Sequence, residues 1–374
     1  IDYYRQALDI DPDDAAAITN LGNVLMDKGQ HDDALAHHRR AVEAAPDHAE
    51  AHHNLSLALL LQGKLEEGWA EYEWRLRSEK GARHRPFPQA PWVGQPVDAK
   101  TVLVWGEQGV GDEVMFAGMV PDLVEAGATV ILEADPRLVA LFRRSFAGIE
   151  CIVKQDPPTA ETRRDGIDFQ APGGNLGRWL RPNLESFPGR DSYLVADVDR
   201  AAALRDQYRD GTDDRLIGIA WVSKNKRIGA QKSMTLMELA PLTGIPGVRF
   251  IDLQYGDTAE ERRQFEDRTG TTILHDEHVD QMSDLDAFAA QVAAMDLVIS
   301  VSNTTVHIAG ALGVPTWVML NTVPLPCWLL ERDDSPWYPS MRLFRQEKRK
   351  HWEGVIERVA TELAGLAKAS PGAG

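Results

Sequence analysis

The sequence predicts an all-α repeat region followed by two doubly wound α/β domains with a cleft between them. Residue pairs recur at one fixed spacing over the first 80 residues. From residue 97, short apolar runs alternate with helical segments, and this alternation begins again after residue 212. Strands that alternate with helices build parallel sheets with helices on their faces. We therefore expect repeats over 1–80, a linker over 81–96, α/β domains over 97–212 and 213–351, and a C-terminal helix and tail over 352–374.

The composition of the 374 residues narrows the class of protein. Asp and Glu number 57 against 40 Lys and Arg, and the net charge of −17 argues against a general binder of nucleic acid or anionic membranes. The two cysteines, Cys151 and Cys327, form no metal motif and no disulfide framework. The sequence contains no run of about 18 apolar residues, so no transmembrane helix is expected. We expect a cytoplasmic protein that needs no metal and no cofactor.

The first 80 residues contain an internal repeat with a period of 34 residues. Asn20-Leu21-Gly22 returns as Asn54-Leu55-Ser56, and the same spacing separates Ala7 from Ala41, Pro12 from Pro46, Gly29 from Gly63 and Ala34 from Gly68. Apolar residues between them fall at helical intervals, which predicts helix-turn-helix units over 13–46 and 47–80. Because such units stack in groups of about three or more, we expect further repeats upstream. Stacked units bind peptide segments, and a rigid spacer or dimerisation arm is the alternative.

A proline-rich connector precedes the first α/β domain. Arg85-Pro86-Phe87-Pro88 and Ala90-Pro91-Trp92 interrupt any regular pattern and predict a boundary. Beyond it, apolar and β-branched runs predict strands, and apolar residues at helical spacing predict helices. The expected strands cover 101–105, 130–132 and 151–153, and the expected helices cover 114–125 and 137–145.

The second α/β domain repeats this alternation. Ligands of doubly wound sheets bind beyond the carboxyl ends of the strands, so the loops after these strands are the candidate binding loops. Strands are expected over 216–221, 249–253, 297–301, 316–320 and 342–344, with helices over 284–295 and 352–369.

The loop after the first strand contains Gly109-Val110-Gly111-Asp112 at a predicted strand-to-helix turn. Glycines permit a tight backbone, and a helix N-terminus attracts an anion or a polar substrate. A carboxylate at this point faces the predicted cleft and can serve as a general base. The alternative is that Asp112 only caps the helix. The loop lacks the third glycine of a dinucleotide-binding motif.

A basic loop follows the first strand of the second α/β domain. Lys224, Lys226, Arg227 and Lys232 lie within nine residues of a chain whose net charge is −17. Their position at the ligand edge suits a phosphate or diphosphate, because lysine supplies a point charge and arginine a forked donor. A solvated basic loop is the alternative.

Two further candidate segments also follow strands. After 297–301, Asn303, Thr304 and Thr305 open a helix whose free N–H groups can form an anion site. His307 in its first turn either contacts a ligand or is a buried, satisfied side chain. After 249–253, the segment of Gln254, Glu260 and Glu261 offers carboxylates to ribose hydroxyls, or only negative charge to the first turn of a helix.

These motifs together resemble those of bacterial proteins in which tetratricopeptide repeats are fused to a GT-B glycosyltransferase domain. That domain is similar to the heptosyltransferase (glycosyltransferase family 9) group, and the resemblance covers nearly the whole chain. The most specific motifs are Glu107-Gln108-Gly109-Val110-Gly111-Asp112, His307-Ile308-Ala309-Gly310-Ala311-Leu312-Gly313-Val314-Pro315, Asp334-Ser335-Pro336-Trp337-Tyr338-Pro339 and Leu343-Phe344-Arg345-Gln346.

The resemblance implies an inverting, metal-independent sugar transfer from a nucleotide-sugar donor. It implies Asp112 as the catalytic base, with Gln108, Gly109 and Gly111 on the acceptor side. Some relatives of this architecture modify flagellin, which implies a Ser or Thr hydroxyl of a protein docked by the repeats as acceptor. The implied donor-phosphate residues are Lys224, Lys226, Lys232, Asn303, Thr304, Thr305 and His307, and the implied nucleoside residues are Gln254, Glu260 and Glu261.

One departure from the family pattern bears on the donor. The heptosyltransferase motif has Asp-Thr-Gly where this chain has Ser302-Asn303-Thr304. This predicts a donor other than ADP-heptose, and the nucleotide stays open among CMP, UDP and ADP. Three other functions are weighed: a non-catalytic scaffold with a degenerate GT-B domain, a nucleotide-sugar epimerase, and a heptosyltransferase that acts on a glycolipid.

Overall fold

The computed structural model describes residues 1–77, 85–225 and 228–368, which form two compact units. The first unit contains the described residues of Ile1–Ala134 together with Ile149–Pro188 and Val323–Arg332. The second contains Asp135–Gly148, Gly189–Thr322 and the described residues of Asp333–Gly374. The repeats therefore belong to the same unit as the first sheet. Neither unit begins or ends at the domain borders expected after residues 96 and 212. The division into functional domains stays a prediction.

The repeat region consists of five helices joined by short turns. Asp14 begins the second helix by accepting hydrogen bonds from Ala16 N and Ala17 N. Gly29 and Gly63 occupy equivalent turns with φ of 76° and 74°, a left-handed conformation that favours glycine. The predicted period therefore has a backbone cause. The helices are α1 (Asp2–Ile10), α2 (Ala15–Asp27), α3 (His31–Ala44), α4 (Ala49–Leu61) and α5 (Leu65–Tyr72), and a 3-10 helix over Glu73–Leu76 follows.

The first sheet has five parallel strands in the order β1-β5-β2-β3-β4. Strand β2 has the predicted bounds, and β3 and β4 extend the predicted runs by one to three residues. Part of the expected linker joins this sheet as β1. The strands β1 and β5 were not predicted, because both are short and contain proline. The strands are β1 (Ala90–Pro91), β2 (Thr101–Trp105), β3 (Thr129–Ala134), β4 (Glu150–Val153) and β5 (Phe169–Pro172).

The helix expected over 114–125 is two helices, and the first begins four residues earlier than predicted. The break lies at Gly118 and Met119, and Pro121 falls in the first turn of the second helix, where its missing N–H costs nothing. Asp112 consequently lies inside a helix rather than before it. The helices that follow the strands of this part of the chain are α6 (Val110–Ala117), α7 (Val120–Glu125), α8 (Val139–Ser145) and α9 (Gly177–Leu180).

The second sheet has six parallel strands in the order β11-β10-β9-β6-β7-β8. The five predicted strands are confirmed, with β9 and β10 at the predicted bounds. The strand β8 is only two residues long and was not predicted. The strands are β6 (Arg215–Ala220), β7 (Val248–Asp252), β8 (Ile273–Leu274), β9 (Leu297–Val301), β10 (Thr316–Leu320) and β11 (Met341–Arg345).

Helices cover the second sheet and bury its apolar side chains. The last helix packs Val355, Ile356 and Val359 into the core, which confirms the predicted apolar face. No helix among the described residues is both long and apolar enough to cross a bilayer. The helices are α10 (Val198–Arg209), α11 (Gly229–Lys232), α12 (Ala259–Thr269), α13 (Leu285–Ala293), α14 (Thr304–Ala311) and α15 (Glu353–Lys368).

Candidate functional site

The first sheet reverses its strand order between β2 and β5, which places the loops after these strands together at one edge. The Glu107 carboxylate in the β2 loop accepts a hydrogen bond from Gly174 N in the β5 loop, at 2.9 Å. Glu107 is buried, with 4% of its surface exposed. In doubly wound sheets this reversal point is where ligands bind. The predicted acceptor-side residues Gln108, Gly109 and Gly111 lie here.

Asp112 is the third residue of α6, and its Oδ2 accepts a hydrogen bond from Gly109 N at 3.1 Å. The side chain is half-buried at the helix N-terminus, where the helix dipole favours a negative charge. Gly109, not Asp112, is therefore the N-cap residue, and Asp112 makes the return contact of a capping box from inside the helix. A carboxylate offers about four acceptor positions, so this bond does not exclude a role as proton acceptor.

A cavity of about 360 Å³ opens at the carboxyl edge of β2 and β4. Its lining combines the Trp105 ring and other apolar surface with charged and amide side chains. The sequence analysis missed this cavity, although Lys154 directly follows a predicted strand. It is lined by Arg85, Trp105, Gly106, Glu107, Gln108, Lys154, Gln155 and Asp156.

Ion pairs hold the charged groups around this cavity. Lys154 Nζ lies 2.5 Å from Glu113 Oε1, and the guanidinium of Arg85 donates to the buried carboxylate of Glu133. A Cβ atom at Gly106 would lie 2.5 Å from the Glu113 carboxyl carbon, so a side chain there would displace this carboxylate. The cavity wall is thus built by residues distant in the sequence.

The second sheet reverses its strand order between β6 and β9, whose ends pair at Ala220 and Ser300. Asn303 caps α14 by accepting from Thr305 N at 3.0 Å, and its Nδ2 donates to Val222 O at 3.3 Å. Asn303 therefore links the loop after β6 to the loop after β9. Thr304 is the first residue of α14. The buried hydroxyl of Thr305 has no hydrogen-bond partner among the described residues.

Lys232 and His307 are both buried beside the start of α14, with 4% and 6% of their surfaces exposed. His307 Nδ1 lies 3.0 Å from the Tyr338 hydroxyl. Burial, with the positive charge of Lys232 adding to it, lowers the pKa of His307 to about 3. The imidazole is therefore neutral beside the charged, buried lysine.

The loops after β6 and β7 are tied together. Gln254 Oε1 accepts from Trp221 N at 3.0 Å and from Val222 N at 2.7 Å. The Tyr255 hydroxyl accepts from Lys224 N at 2.7 Å, and the exposed Lys224 ammonium lies 5.5 Å from the Tyr255 ring centroid. The predicted phosphate residue Lys226 lies outside the described residues.

The structure distinguishes the two glutamates of the fourth candidate segment. Glu260 is exposed and pairs with Arg263. Glu261 instead accepts from Trp221 Nε1 at 2.9 Å and from Leu236 N at 2.7 Å. Glu261 thus fixes the loop after β6, while Glu260 stays accessible at the surface. Neither contact tests the predicted role in nucleoside binding.

Asp252, at the end of β7, is a buried carboxylate that the sequence analysis did not select. Its side chain accepts from Thr258 Oγ1 at 2.6 Å, and it lies 2.9 Å from His275 Nδ1 and 3.2 Å from Arg262 Nε. The only sequence signal is one aspartate closing an apolar strand. Asp252 organises the loop that contains Gln254, because its carboxylate also accepts a hydrogen bond from Gln254 N at 2.8 Å.

A family model of the tetratricopeptide repeat matches residues 13–67. This confirms the predicted repeat class, whose period, turn glycines and helix bounds are described above. Whether the repeats of this chain form an extended solenoid stays a prediction.

Comparison with known proteins extends beyond the repeats. The chain is 35% identical to Protein FlbA of Caulobacter vibrioides over 322 residues, which is 81% of this chain and 53% of that protein. The chain thus spans about half the length of this curated relative. The family 9 glycosyltransferase of Veillonella parvula superposes with a TM-score of 0.53 at 13% identity, covering 73% of this chain and 98% of its own.

A second solved structure gives a similar result. The ADP-heptose LPS heptosyltransferase II of E. coli superposes with a TM-score of 0.50 at 14% identity, covering 71% of this chain and 98% of its own. At these identities the likeness establishes the fold. The expected α/β part therefore has a glycosyltransferase-like fold.

Proposed function

We propose that the chain is an inverting, metal-independent glycosyltransferase with a GT-B fold, which moves a sugar from a nucleotide-sugar donor to a protein hydroxyl. The observation that carries this proposal is the start of α14 at the β6–β9 reversal point. There Asn303 orders the first turn, and the buried Lys232 supplies a positive charge. A helix N-terminus beside a buried cation suits the phosphate of a nucleotide.

Departure of the nucleotide leaves negative charge on its phosphate. In the proposed mechanism, the N–H groups at the start of α14 and the Lys232 ammonium stabilise this charge. Lys224 and Lys226 contribute from the basic loop, and His307, being neutral, donates or accepts a hydrogen bond without adding charge. The nucleoside is assigned to the loop of Gln254, Glu260 and Glu261.

Attack on the sugar requires removal of a proton from the acceptor hydroxyl. Asp112 is the proposed base, because its carboxylate lies at the strand-order reversal of the first sheet, beside Gln108, Gly109 and Gly111. A direct displacement by the acceptor oxygen on the face opposite the leaving phosphate inverts the anomeric carbon.

The acceptor is proposed to be a protein bound by the repeats, because tetratricopeptide repeats bind peptide segments. A Ser or Thr side chain supplies the hydroxyl, and flagellin is the first acceptor to test because related architectures modify it. Heptosyl transfer to a glycolipid is a second candidate, favoured by the fold shared with the E. coli heptosyltransferase. The Ser302-Asn303-Thr304 motif, with Ser302 buried, argues against its ADP-heptose donor.

Thermal unfolding with CMP, UDP, GDP, ADP and dTDP tests the donor site. A nucleotide present at about 100 times its dissociation constant stabilises the folded chain by about 2.7 kcal/mol. We expect one nucleotide to stand out, and Lys232→Met to weaken its binding by about tenfold or more, because a charged hydrogen bond to phosphate is lost.

Lys100→Met is the matched control, because Lys100 is 46% exposed and pairs with Asp168 outside the proposed site. This variant should keep the full nucleotide response. Stabilisation by none of the five nucleotides, or an equal response of Lys232→Met and Lys100→Met, would contradict the proposed donor site and favour a non-catalytic scaffold.

A further inference from the structure

The end of the repeat region packs against two parts of the first unit. One is the segment around Arg178 and Arg181, and the other is the loop that contains Asp112. Trp69 in α5 donates from its Nε1 to Arg181 O at 3.0 Å, and Arg178 pairs with Glu73 at 2.9 Å. All of these residues belong to the first compact unit. The end of the repeat region therefore packs directly on the rest of this unit.

Arg75, in the 3-10 helix Glu73–Leu76, forms a buried ion pair with Glu107. The guanidinium Nε donates to Oε2 at 2.9 Å, and a second N–H group donates to Oε1. The side chains are 1% and 2% exposed, so the pair is shielded from water. Because Glu107 also accepts from Gly174 N, Arg75 fixes the carboxylate that joins the β2 and β5 loops.

Tyr72 fixes the next residue of the same loop. Its hydroxyl accepts a hydrogen bond from Gln108 Nε2 at 2.7 Å. Gln108 has φ of 60°, a left-handed backbone conformation that is unfavourable for residues other than glycine, asparagine or aspartate. Gly109 follows and donates its N–H to Asp112. One connected path thus leads from the repeat region to the proposed base.

The pKa of Tyr72 reflects the groups that surround its hydroxyl. Burial raises the pKa of Tyr72 above its usual range, and the carboxylates of Glu107 and Asp112 add to this effect, while Arg75 opposes it. The phenol therefore keeps its proton and stays a hydrogen-bonding group at neutral pH.

The facing loop leaves room for this packing. A Cβ atom at Gly174 would lie 2.7 Å from Glu107 Oε1 and 2.9 Å from the Arg75 guanidinium, and one at Gly177 would lie 2.7 Å from the Trp69 ring. Side chains at these two positions would require Glu107, Arg75 and the Trp69 ring to shift.

We propose that Tyr72 and Arg75 are positioning residues, which hold the loop from Gly106 to Asp112 in the conformation that presents the base. The end of the repeat region is then part of the transfer site, not a detachable docking module. The consequence for catalysis rests on the proposed function, whereas the ordering of the loop does not.

Hydrogen exchange of the 374-residue chain, with no ligand added, tests the ordering of the loop. Tyr72→Phe keeps the buried ring and removes only the hydroxyl, so we expect several-fold faster amide exchange in peptides covering 106–117. Tyr208→Phe is the matched control, because it removes a buried hydroxyl that bonds Asp276 at 2.8 Å in the other unit. Its exchange over 106–117 should equal that of the unchanged chain.

Arg75→Lys is a second variant, which keeps the charge but loses the forked contact. It should also accelerate exchange over 106–117. Equal exchange in the unchanged chain and in both Tyr72→Phe and Arg75→Lys would overturn the proposal. Nucleotide-induced stabilisation should be the same in all of these proteins, because the donor groups lie in the other unit.

Transfer kinetics with CMP-, UDP- and ADP-linked sugars then test the link to catalysis. We expect Tyr72→Phe to lower kcat several-fold while the donor KM is unchanged, and to have no further effect in a Gln108→Ala background. Additive effects of Tyr72→Phe and Gln108→Ala would contradict action through Gln108. If exchange over 106–117 is faster in Tyr72→Phe but neither the unchanged chain nor any variant transfers a sugar, the loop ordering is supported and the proposed transferase activity is rejected.

Discussion

At the scale of single residues, Asp112 combines a structural contact with the position of a base. Its Oδ2 accepts from Gly109 N, which fixes the side chain at the start of α6. The two roles weighed from the sequence are therefore compatible, because a cap orients the carboxylate without using all of its acceptor positions. A substitution that keeps the cap and removes the basicity separates them.

Asp112→Asn is expected to abolish transfer while the fold and nucleotide binding are retained. The amide oxygen can still accept from Gly109 N, but it cannot take a proton, and a general base contributes about 100-fold or more to the rate. The measurement is the intact mass of an acceptor protein, flagellin first, after incubation with the donor.

The control for this experiment is Asp197→Asn, which alters a carboxylate that caps α10 by accepting from Arg200 N at 3.0 Å. This variant should transfer at the rate of the unchanged chain. Near-normal turnover by Asp112→Asn would show that another group is the base.

At the scale of elements, helices α2 and α3 approach closely because one position has no side chain. A Cβ atom at Gly22 would lie 2.7 Å from His38 Cε1, and His38 is buried. Gly365, in α15, has no atom within 4 Å of the corresponding position. An added Cβ atom would therefore collide with a neighbour in α2 but meet open space in α15.

Gly22→Ala is expected to lower the free energy of unfolding by about 1–3 kcal/mol, because the added methyl group overpacks the contact with His38. Gly365→Ala should raise it by about 0.5–1 kcal/mol through helix propensity alone. Urea unfolding followed by circular dichroism measures both. If the two substitutions shift stability in the same direction, the packing of α2 on α3 is not as described.

At the scale of the whole molecule, His38 in the first compact unit and His307 in the second are buried histidines with lowered pKa values. Burial, with the neighbouring His37 adding to it, lowers the pKa of His38 to about 4, and that of His307 falls to about 3. Both side chains are neutral in the folded chain at pH 5, whereas in the unfolded chain both are protonated below about 6.5. The unfolded state thus binds more protons in this range.

Stability is therefore expected to be fully present above pH 6.5 and to fall as the pH is lowered from 6.5 towards 4. Each histidine contributes at most about 1.4 kcal/mol per pH unit. Urea unfolding at pH 7 and pH 5 measures the loss, and His38→Gln should reduce it, because this side chain does not titrate. An unchanged pH dependence in His38→Gln would mean that His38 is protonated in the folded chain.

Local pattern in the sequence was sufficient for most of the regular structure. Apolar runs defined β2, β9 and β10 at their observed bounds, since a strand buried on both faces needs a continuous apolar segment. The 34-residue period identified the repeats, because equivalent glycines close equivalent turns. The alternation of strands and helices predicted two parallel sheets, but the strand order and the reversal points came only from the structure.

Tertiary structure alone decided which distant residues meet. The pairs Arg75–Glu107 and Asn303–Val222 join segments 32 and 81 residues apart, and no local period reports such contacts. The strand β5 was missed for the same reason, because its place beside β2 comes from pairing with its neighbours and not from its own apolar content. Sequence determined the elements and their order. Packing decided that the end of the repeats lies against the loop of the proposed base, because burial of charged side chains requires partners that only the folded chain supplies.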